Sequence, residues 1–371
     1  MKLQFSKIVL FIVITGFLYS CNSVKRVPEN KQLLIDNHIY INDKKNNTER
    51  INNLLFQQRN KKLAGIPLKL YIYNSARPNI DSIINVKIDS KPKKRERLER
   101  FLSKKQLDKY VENRIGFNDW LKTTGEAPVI LNTEKITRSE KQLEAYYFNN
   151  GWFNVDATSE IDTLDTQKVA VNYRVKTGEP YIIDSLFTKI ATPIVDSLYQ
   201  TTQADSYIKK NKQYQTVTFS NEKERITRNL RNSGVYHFSQ DYVYFEMDTI
   251  DTNNKVNVEL QILNRSIRTQ DSTFKEPFNI YKIKEVNVYT DYSYENRSLT
   301  ITDSTLFKNF NLFSYGKMRF KPKAITDAVF ITPGDVFRDK DRTNTYRHIN
   351  NLQTFKHPSI EYIENADTTL T

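Results

Sequence analysis

The sequence predicts an α+β protein made of tandem repeats, in which each repeat has the order β-α-α-β-β. Two observations support this fold class. Two helical patterns end in the same motif, Asn-x-Gly-x-aromatic, at residues 149–153 and 232–236. After each motif come two stretches of alternating apolar and polar residues joined by a polar turn, which is typical of a β-hairpin.

The helix of the first repeat is predicted from Ile136, Leu143 and Tyr147, whose spacing places three apolar side chains on one helical face. The glycine of each motif suits the left-handed backbone that ends a helix, because a residue without a Cβ meets no steric penalty there. We assign four glycines as structural turn residues: Gly151, Gly178, Gly234 and Gly334.

The strands follow from alternation of apolar and polar side chains. A strand opens each repeat, and a hairpin closes it. A further alternating stretch at 68–73 predicts a strand, whereas 47–58 and 91–122 have helical spacing. The opening strands are predicted at 33–41, 181–190 and 280–289, and the hairpin strands at 152–161 with 169–175 and at 235–250 with 256–262. In the third repeat we expect helices near 324–330 and 343–352 and a first hairpin strand at 359–364, with the second strand beyond residue 371.

These elements divide the chain into a leader, a linker and three repeats. The third repeat is expected to be incomplete, so the chain is interpreted as the first portion of a longer protein. The predicted segments are a lipoprotein signal peptide at 1–20, a polar tether at 21–32, a first repeat at 33–177 with a helical insertion at about 91–126, a second at 178–265 and a third at 278–371.

The first residues are typical of a bacterial lipoprotein signal. Lys2 and Lys7 precede a short apolar run, and the sequence Leu-Tyr-Ser-Cys ends at Cys21, the only cysteine of the chain. The apolar run is shorter than the roughly 20 residues of a membrane-spanning helix. We therefore predict export and lipidation, including palmitate, at Cys21.

Composition limits the class of protein. With 38% hydrophobic and 12% aromatic residues, the chain has enough apolar surface for packed cores. The net charge of +13 suits nucleic acid, anionic lipid or an acidic protein as partner. Export and the lack of a nucleic-acid-binding motif argue against nucleic acid. The basic run at 91–109 fits either a solvated helix face or a contact with lipid or an acidic partner.

Motifs of catalysis are not found in the sequence. The histidines His38, His237, His348 and His357 have no zinc-ligand spacing, and neither a Gly-x-Ser-x-Gly motif nor a phosphate-binding glycine loop occurs. We expect no enzyme, no metal and no cofactor, although a pair of carboxylates brought together by the fold stays open.

The repeated β-α-α-β-β unit with its helix-end motif resembles a POTRA domain. The link at 178–183, Gly-Glu-Pro-Tyr-Ile-Ile, is similar to the step between consecutive POTRA repeats. The residues after Cys21, together with Gly-Ile-Pro-Leu at 65–68 and Gly-Glu-Ala-Pro-Val-Ile at 125–130, resemble the lipoprotein (TamL) branch of the BamA/TamA outer-membrane assembly family. In that family a β-barrel follows the POTRA array.

The resemblance implies a lipid-anchored protein of the outer membrane with periplasmic POTRA domains. Its implied partners are unfolded outer-membrane proteins, added as strands to a sheet edge, and a TamB-like protein. For the edges we predict Trp152, Phe153 and Val155 in one repeat, and in the next Val235, Tyr236 and Val243. Two alternatives stay open: a surface-exposed or periplasmic ligand-binding lipoprotein, and an exported hydrolase.

Overall fold

The computed structural model describes residues 22–46, 48–89, 96, 100, 103–269 and 271–371. The chain is α+β, and it divides into two compact units. The first unit comprises Met1–Phe148 and Phe153–Gly178, and the second comprises Asn149–Trp152 and Glu179–Thr371. The predicted lipidation residue, Cys21, and most of the basic run at 91–109 lie outside the described residues.

The first unit contains a four-stranded sheet with the order β2-β1-β4-β3. β1 and β4 are parallel, and the other two pairs are antiparallel. The strands are β1 (Leu33–Ile41), β2 (Lys44–Asn46), β3 (Asp156–Asp165) and β4 (Lys168–Lys176). The helices are α1 (Glu49–Asn52), α2 (Leu68–Ser75), α3 (Ile80–Asp89), α4 (Lys104–Thr124) and α5 (Thr133–Asn149).

Helix α5 has the predicted core face. Ile136, Leu143 and Tyr147 are all buried, and Leu143 is completely inaccessible. Alternate residues of β4 are buried as well, so the helix and the sheet share one hydrophobic core.

The predicted strand at 68–73 is wrong, because these residues form helix α2. Leu70 and Asn74, which are four residues apart, are the buried side chains, as expected for a helix with one covered face. The helix predicted at 47–58 is also too long, since α1 covers only Glu49–Asn52.

The segment at 22–32, which was expected to be a free polar tether, is packed against α2. The side-chain amide of Asn74 donates to the backbone carbonyls of Asn22 and Ser23, each at 3.0 Å. Val27 joins a small apolar cluster with Leu70. The apolar side chains between the polar residues explain why this segment is held in place.

The second unit begins with a three-stranded sheet of order β5-β7-β6. β5 and β7 are parallel, and β6 pairs antiparallel with β7. The elements are β5 (Ile182–Ile190), α6 (Pro193–Thr202), α7 (Thr216–Arg231), β6 (Val243–Asp248) and β7 (Lys255–Ile262). The hairpin strands β8 (Arg265–Arg268) and β9 (Thr273–Glu276) follow.

The rest of the second unit has the same element order with an inserted hairpin. β10 pairs parallel with β14, while β11 pairs parallel with β13 of the insertion. The elements are β10 (Lys282–Ile283), β11 (Val286–Tyr289), β12 (Asp303–Phe307), β13 (Phe310–Ser314), α8 (Pro322–Thr326), α9 (Asp339–Asn351) and β14 (Thr369–Leu370). The strand predicted at 359–364 is reduced to a bridge at Glu364, and the second hairpin strand begins at Thr369 rather than after the end of the chain.

Three opening strands share one hydrogen-bond pattern. In each, the backbone N–H of the strand's second residue donates to a carbonyl in the segment before helix α5, α7 or α9. A backbone N–H of that segment donates in return to the carbonyl two residues before the strand's second residue. The forward bonds are Leu34 to Val129 (2.9 Å), Ile183 to Lys212 (2.8 Å) and Ile283 to Asp335 (2.8 Å). The return bonds are Leu131 to Gln32 (2.8 Å), Tyr214 to Tyr181 (2.9 Å) and Phe337 to Tyr281 (2.9 Å). The repeat in the sequence is therefore a repeat of backbone register.

Candidate functional site

The residues predicted for the sheet edges lie at or before the edge strands. Trp152, Phe153 and Val155 precede β3, which begins at Asp156. Val235 and Tyr236 lie in the turn region that follows α7. Val243 is the first residue of β6. Val235 and Val243 are fully buried, so their side chains belong to the core, and only their backbone is relevant to an edge.

β3 and β6 are each the last strand of a sheet. The backbone N–H of Leu263 donates to the carbonyl of Tyr242 at 3.1 Å, which makes these two residues a hydrogen-bonded pair. Such pairs alternate along an antiparallel ladder. The register therefore turns the N–H and C=O groups of Val243, Phe245 and Met247 away from β7.

The β3 edge is closed by a side chain from the helix that packs beside it. The carboxylate of Glu144 on α5 accepts from the backbone N–H of Ala157 at 3.2 Å. A second carboxylate, Glu140, accepts from the hydroxyl of Ser159 at 2.6 Å. These two contacts, with the acidic side chains of β3 itself, make this edge unfavourable for a further strand.

The residue of β6 that corresponds to Ala157 is Val243. The correspondence follows from the strand pairing. Ala157 and Val243 each pair with a residue of the neighbouring strand, β4 or β7, and that residue also pairs with the last residue of β1 or β5. The paired residues are Ala157 with Val175 and Val175 with Ile41 in the first unit, and Val243 with Ile262 and Ile262 with Ile190 in the second.

The β6 edge does not have the carboxylate that closes β3. Glu144 lies seven residues before Gly151, and the residue seven before Gly234 is Thr227. The hydroxyl oxygen of Thr227 is buried and has no hydrogen-bond partner among the described residues. A threonine side chain is too short to repeat the role of Glu144, so this edge of β6 has no carboxylate, and the N–H of Val243 donates instead to the backbone carbonyl of Gln240.

An apolar surface lies beside the β6 edge. The rings of Phe219 on α7 and Phe245 on β6 meet edge to face, with centroids 5.1 Å apart. Met247 is 38% exposed and Tyr244 is 48% exposed, and the ammonium of Lys223 lies 5.7 Å from the ring centre of Tyr244. The strand edge and helix α7 thus form an edge surface with apolar walls and one cation.

Each motif glycine forms a backbone joint, within the second unit, with the residue that precedes the next opening strand. Gly151 and Gly234 have φ angles of +94° and +99°, and their carbonyls accept from the backbone N–H of Tyr181 (2.7 Å) and Tyr281 (2.9 Å). Gly178 and Gly334 also have positive φ angles, of +65° and +90°. Gln353, at the motif position without glycine, still adopts a φ of +52°.

A cavity of about 650 Å³ lies next to the second joint. Its wall includes Arg231, Tyr236, His237, Tyr362 and Glu364. Burial opposes ionisation of Glu364, but the neighbouring hydroxyl of Tyr281 and His237 Nε2, which lies 3.0 Å from the carboxylate, outweigh burial and lower its pKa. Burial, followed by the Glu364 contact, raises the pKa of Tyr281 to about 12. This hydroxyl therefore stays protonated and donates to the carboxylate.

The described part of the chain has neither a cluster of metal-ligating side chains nor a membrane-spanning helix. Within it, no group of three or more His, Cys, Asp or Glu side chains is arranged to hold a metal ion. No helix there combines the length and the hydropathy needed to cross a bilayer.

Comparison with known proteins agrees with the repeat architecture. The POTRA family model, described as "Surface antigen variable number repeat", matches residues 85–178, about a quarter of the chain, and indicates no enzyme family. No curated protein matches the sequence.

Solved structures of low identity are also similar. POTRA domains 3–5 of BamA from Haemophilus influenzae match with 9% identity and a TM-score of 0.37, over 93% of this chain and 96% of that chain. POTRA domains 1–3 of Omp85 from Anabaena match with 10% identity and a TM-score of 0.25, over 92% and 94%. The N-terminal domain of Omp85 from Thermosynechococcus elongatus matches with 13% identity and a TM-score of 0.21, over 66% and 83%.

Because these TM-scores are low, the fold assignment depends on the element order, the strand register and the family match. On that basis, the chain has an α+β fold with POTRA-like repeats.

Proposed function

We propose that this chain is the periplasmic POTRA region of an outer-membrane protein assembly factor of the BamA/TamA type, in its lipid-anchored TamL form. The observation that carries the proposal is the repeated register of the three opening strands, together with the POTRA match at 85–178. In this proposal the repeats are 33–177, 178–265 and 278–371. Cys21 carries the lipid, and the partners are unfolded outer-membrane proteins and a TamB-like protein.

The proposed docking site for an extended client is the β6 edge. Phe245 and Met247 direct their N–H and C=O groups away from β7, and an added strand pairs with those groups whatever its side chains are. The N–H of Val243 is not available, because it donates to the backbone carbonyl of Gln240. The β3 edge is the weaker candidate because two carboxylates of α5, Glu140 and Glu144, contact it and β3 itself carries acidic side chains. This choice moves the predicted docking residues from the turn at Val235 to the strand itself.

Strand addition at this edge is expected to be weak and reversible. Each backbone hydrogen bond contributes only about 0.5–1.5 kcal/mol net, and ordering the client offsets much of that gain. Apolar client side chains gain more by covering Met247 and Phe245. Weak, sequence-tolerant binding suits a factor that passes many different clients onward.

The proposal is tested by a substitution that gives the β6 edge a helix carboxylate like the one beside β3. In the Thr227→Glu variant, a carboxylate is placed on α7 at the position that corresponds to Glu144, so that the β6 edge gains a helix carboxylate as the β3 edge has. We expect the affinity for an unfolded outer-membrane protein peptide, measured by fluorescence anisotropy on the purified chain, to fall at least about tenfold. Proline at Val243 is a poorer test because that residue is fully buried.

Ser220→Glu is the matched control, since it adds the same charge to an exposed position of α7. Amide hydrogen exchange supplies the second measurement. Bound peptide should slow exchange at Phe245 and Met247 in the unmodified chain and in the Ser220→Glu variant. Equal affinity of the Thr227→Glu variant, with no added protection along β6, would exclude this edge as the docking site.

A further inference from the structure

Helix α4 carries an exposed aromatic stripe, which we define as Tyr110, Phe117 and Trp120. Their exposed fractions are 43%, 57% and 53%. The rings of Phe117 and Trp120 stack with centroids 5.7 Å apart. With 3.6 residues per turn, the three positions fall within an arc of roughly 80° on the helix. Three large aromatic side chains exposed along one helix are costly in water, so this stripe calls for a covering surface.

Another side of α4 is already packed. Leu107 and Asn118 are buried, and the side chain of Asn118 bonds both the N–H (2.7 Å) and the C=O (3.1 Å) of Arg77. Ser103 and Gln106 cap the start of the helix with a reciprocal pair of hydrogen bonds. The helix is therefore firmly placed, and the aromatic stripe lies roughly 110° around the axis from the packed side.

Basic residues of α4 lie beside the aromatic stripe, and the acidic residues of the helix lie away from it. Lys109 and Arg114 flank it, one on each side, and the guanidinium of Arg114 lies 5.8 Å from the ring centre of Tyr110. The acidic residues of α4 all lie on another face, roughly 140° from the stripe. These residues are Asp108, Glu112 and Asp119. A surface that is aromatic at its centre and cationic at its borders is complementary to anionic headgroups.

The start of the described chain is bound to helix α2, and α2 and α4 pack against each other as a helix pair. Asn74 on α2 holds the carbonyls of Asn22 and Ser23. Three residues further on, Arg77 is held by Asn118, the neighbour of Phe117. Three residues span at most roughly 11 Å. The residue that follows Cys21 is thus fastened close to α4, not separated from it by a flexible linker.

We infer that helix α4 lies on the membrane surface, with the aromatic stripe among the lipid headgroups and Lys109 and Arg114 against anionic phosphates. The inference rests on the proposed lipid anchor at Cys21, because that anchor delivers this helix pair to the bilayer. One lipid-modified residue and one aromatic helix together provide two membrane attachments, which hold the first repeat in a defined orientation.

The test uses the emission of Trp120 in the full lipidated chain. The chain has two tryptophans, so the Trp152→Phe variant leaves Trp120 as the sole emitter. After reconstitution into vesicles of phosphatidylethanolamine and phosphatidylglycerol, we expect a blue shift and quenching by lipids brominated near the headgroup. The Cys21→Ser chain, which cannot carry the lipid, should still bind these vesicles weakly. Adding Phe117→Ser and Trp120→Ser to that chain should lower its vesicle partition coefficient on the order of 30-fold.

Phe187→Ser is the matched control, because Phe187 is 61% exposed and lies in the second unit. Flotation of the lipidated chain tests the anchor separately, so the two proposals can fail independently. If the chain floats but Trp120 is neither shifted nor quenched, the membrane-facing helix is excluded. If Trp120 shifts without vesicles as protein concentration rises, a second copy of the chain covers the stripe. A shift without vesicles caused by an added acidic periplasmic protein would assign the stripe to that partner.

Discussion

The joint at Gly234 provides the sharpest test of the structure, through replacement by alanine. An added Cβ would lie 2.6 Å from the Cγ2 of Ile280 and 2.6 Å from the Cγ1 of Val336. Both atoms belong to β-branched side chains, which have little freedom to move aside. The φ angle of +99° adds a backbone penalty for any residue with a Cβ.

The expected loss is the sum of two separable contributions. Left-handed backbone costs roughly 1–2 kcal/mol for a non-glycine residue, and overpacking costs roughly 1–3 kcal/mol more. Gly334 isolates the first contribution, because its φ is +90° but an added Cβ would meet nothing within 4 Å. The free energy of unfolding should therefore fall by roughly 2–5 kcal/mol for Gly234→Ala and by only roughly 1–2 kcal/mol for Gly334→Ala.

Thermal unfolding followed by circular dichroism measures the difference. For a unit of this size, 1 kcal/mol corresponds to roughly 2–4 °C, so the Tm of Gly234→Ala should lie roughly 2–12 °C below that of Gly334→Ala. Gly151→Ala should resemble Gly234→Ala, since its Cβ would lie 2.6 Å from the backbone oxygen of Tyr214. Equal Tm values for Gly234→Ala and Gly334→Ala would refute the tight joint.

Two further predictions concern buried polar groups of the second repeat. Glu222 is fully buried, and its carboxylate accepts from the guanidinium of Arg225 at 2.7 Å and 3.0 Å. Glu222→Gln leaves the Arg225 charge buried without its partner, so the free energy of unfolding, measured by urea titration, should fall by roughly 3–5 kcal/mol. Adding Arg225→Met to the Glu222→Gln chain removes that charge and should recover part of the loss. Burial and then the charge of Glu222 raise the pKa of Tyr199 to about 12. Above pH 10 the unfolded state loses this proton before the folded state does, so stability should fall from pH 10 towards pH 12. Tyr199→Phe should make that alkaline decline shallower in urea titrations at several pH values; an unchanged slope would contradict the assignment.

The free energy of unfolding of the Tyr199→Phe variant at neutral pH supplies an internal control. The Tyr199 hydroxyl is buried without a hydrogen-bond partner among the described residues, so its removal forfeits no bond. A large loss of stability at neutral pH would show that the hydroxyl has a partner in solution.

Periodicity and turn chemistry in the sequence predict much of the repeat. The face of α5 formed by Ile136, Leu143 and Tyr147 follows from helical spacing, because one side of a helix must meet the core. The closing strands β4 and β7 follow from alternation, because their buried side chains occupy every second position.

The starting points of the hairpins could not be predicted as well. Residues 152–155 and 235–242 have apolar side chains at intervals that also suit a strand, but they turn between the helix and the sheet. Residues 68–73 show the same difficulty, since a short apolar stretch fits either periodicity until its packing partner is known.

The sequence alone therefore determines the α+β class, the tandem repeat and the backbone punctuation of the helix ends, because these depend on contacts between near neighbours. Tertiary structure alone decides which sheet edge is open. Glu144 and Thr227 hold corresponding positions in two similar helices. Only the long-range approach of helix to strand places the carboxylate of Glu144 on the N–H of Ala157, whereas the edge of β6 has no carboxylate from its helix.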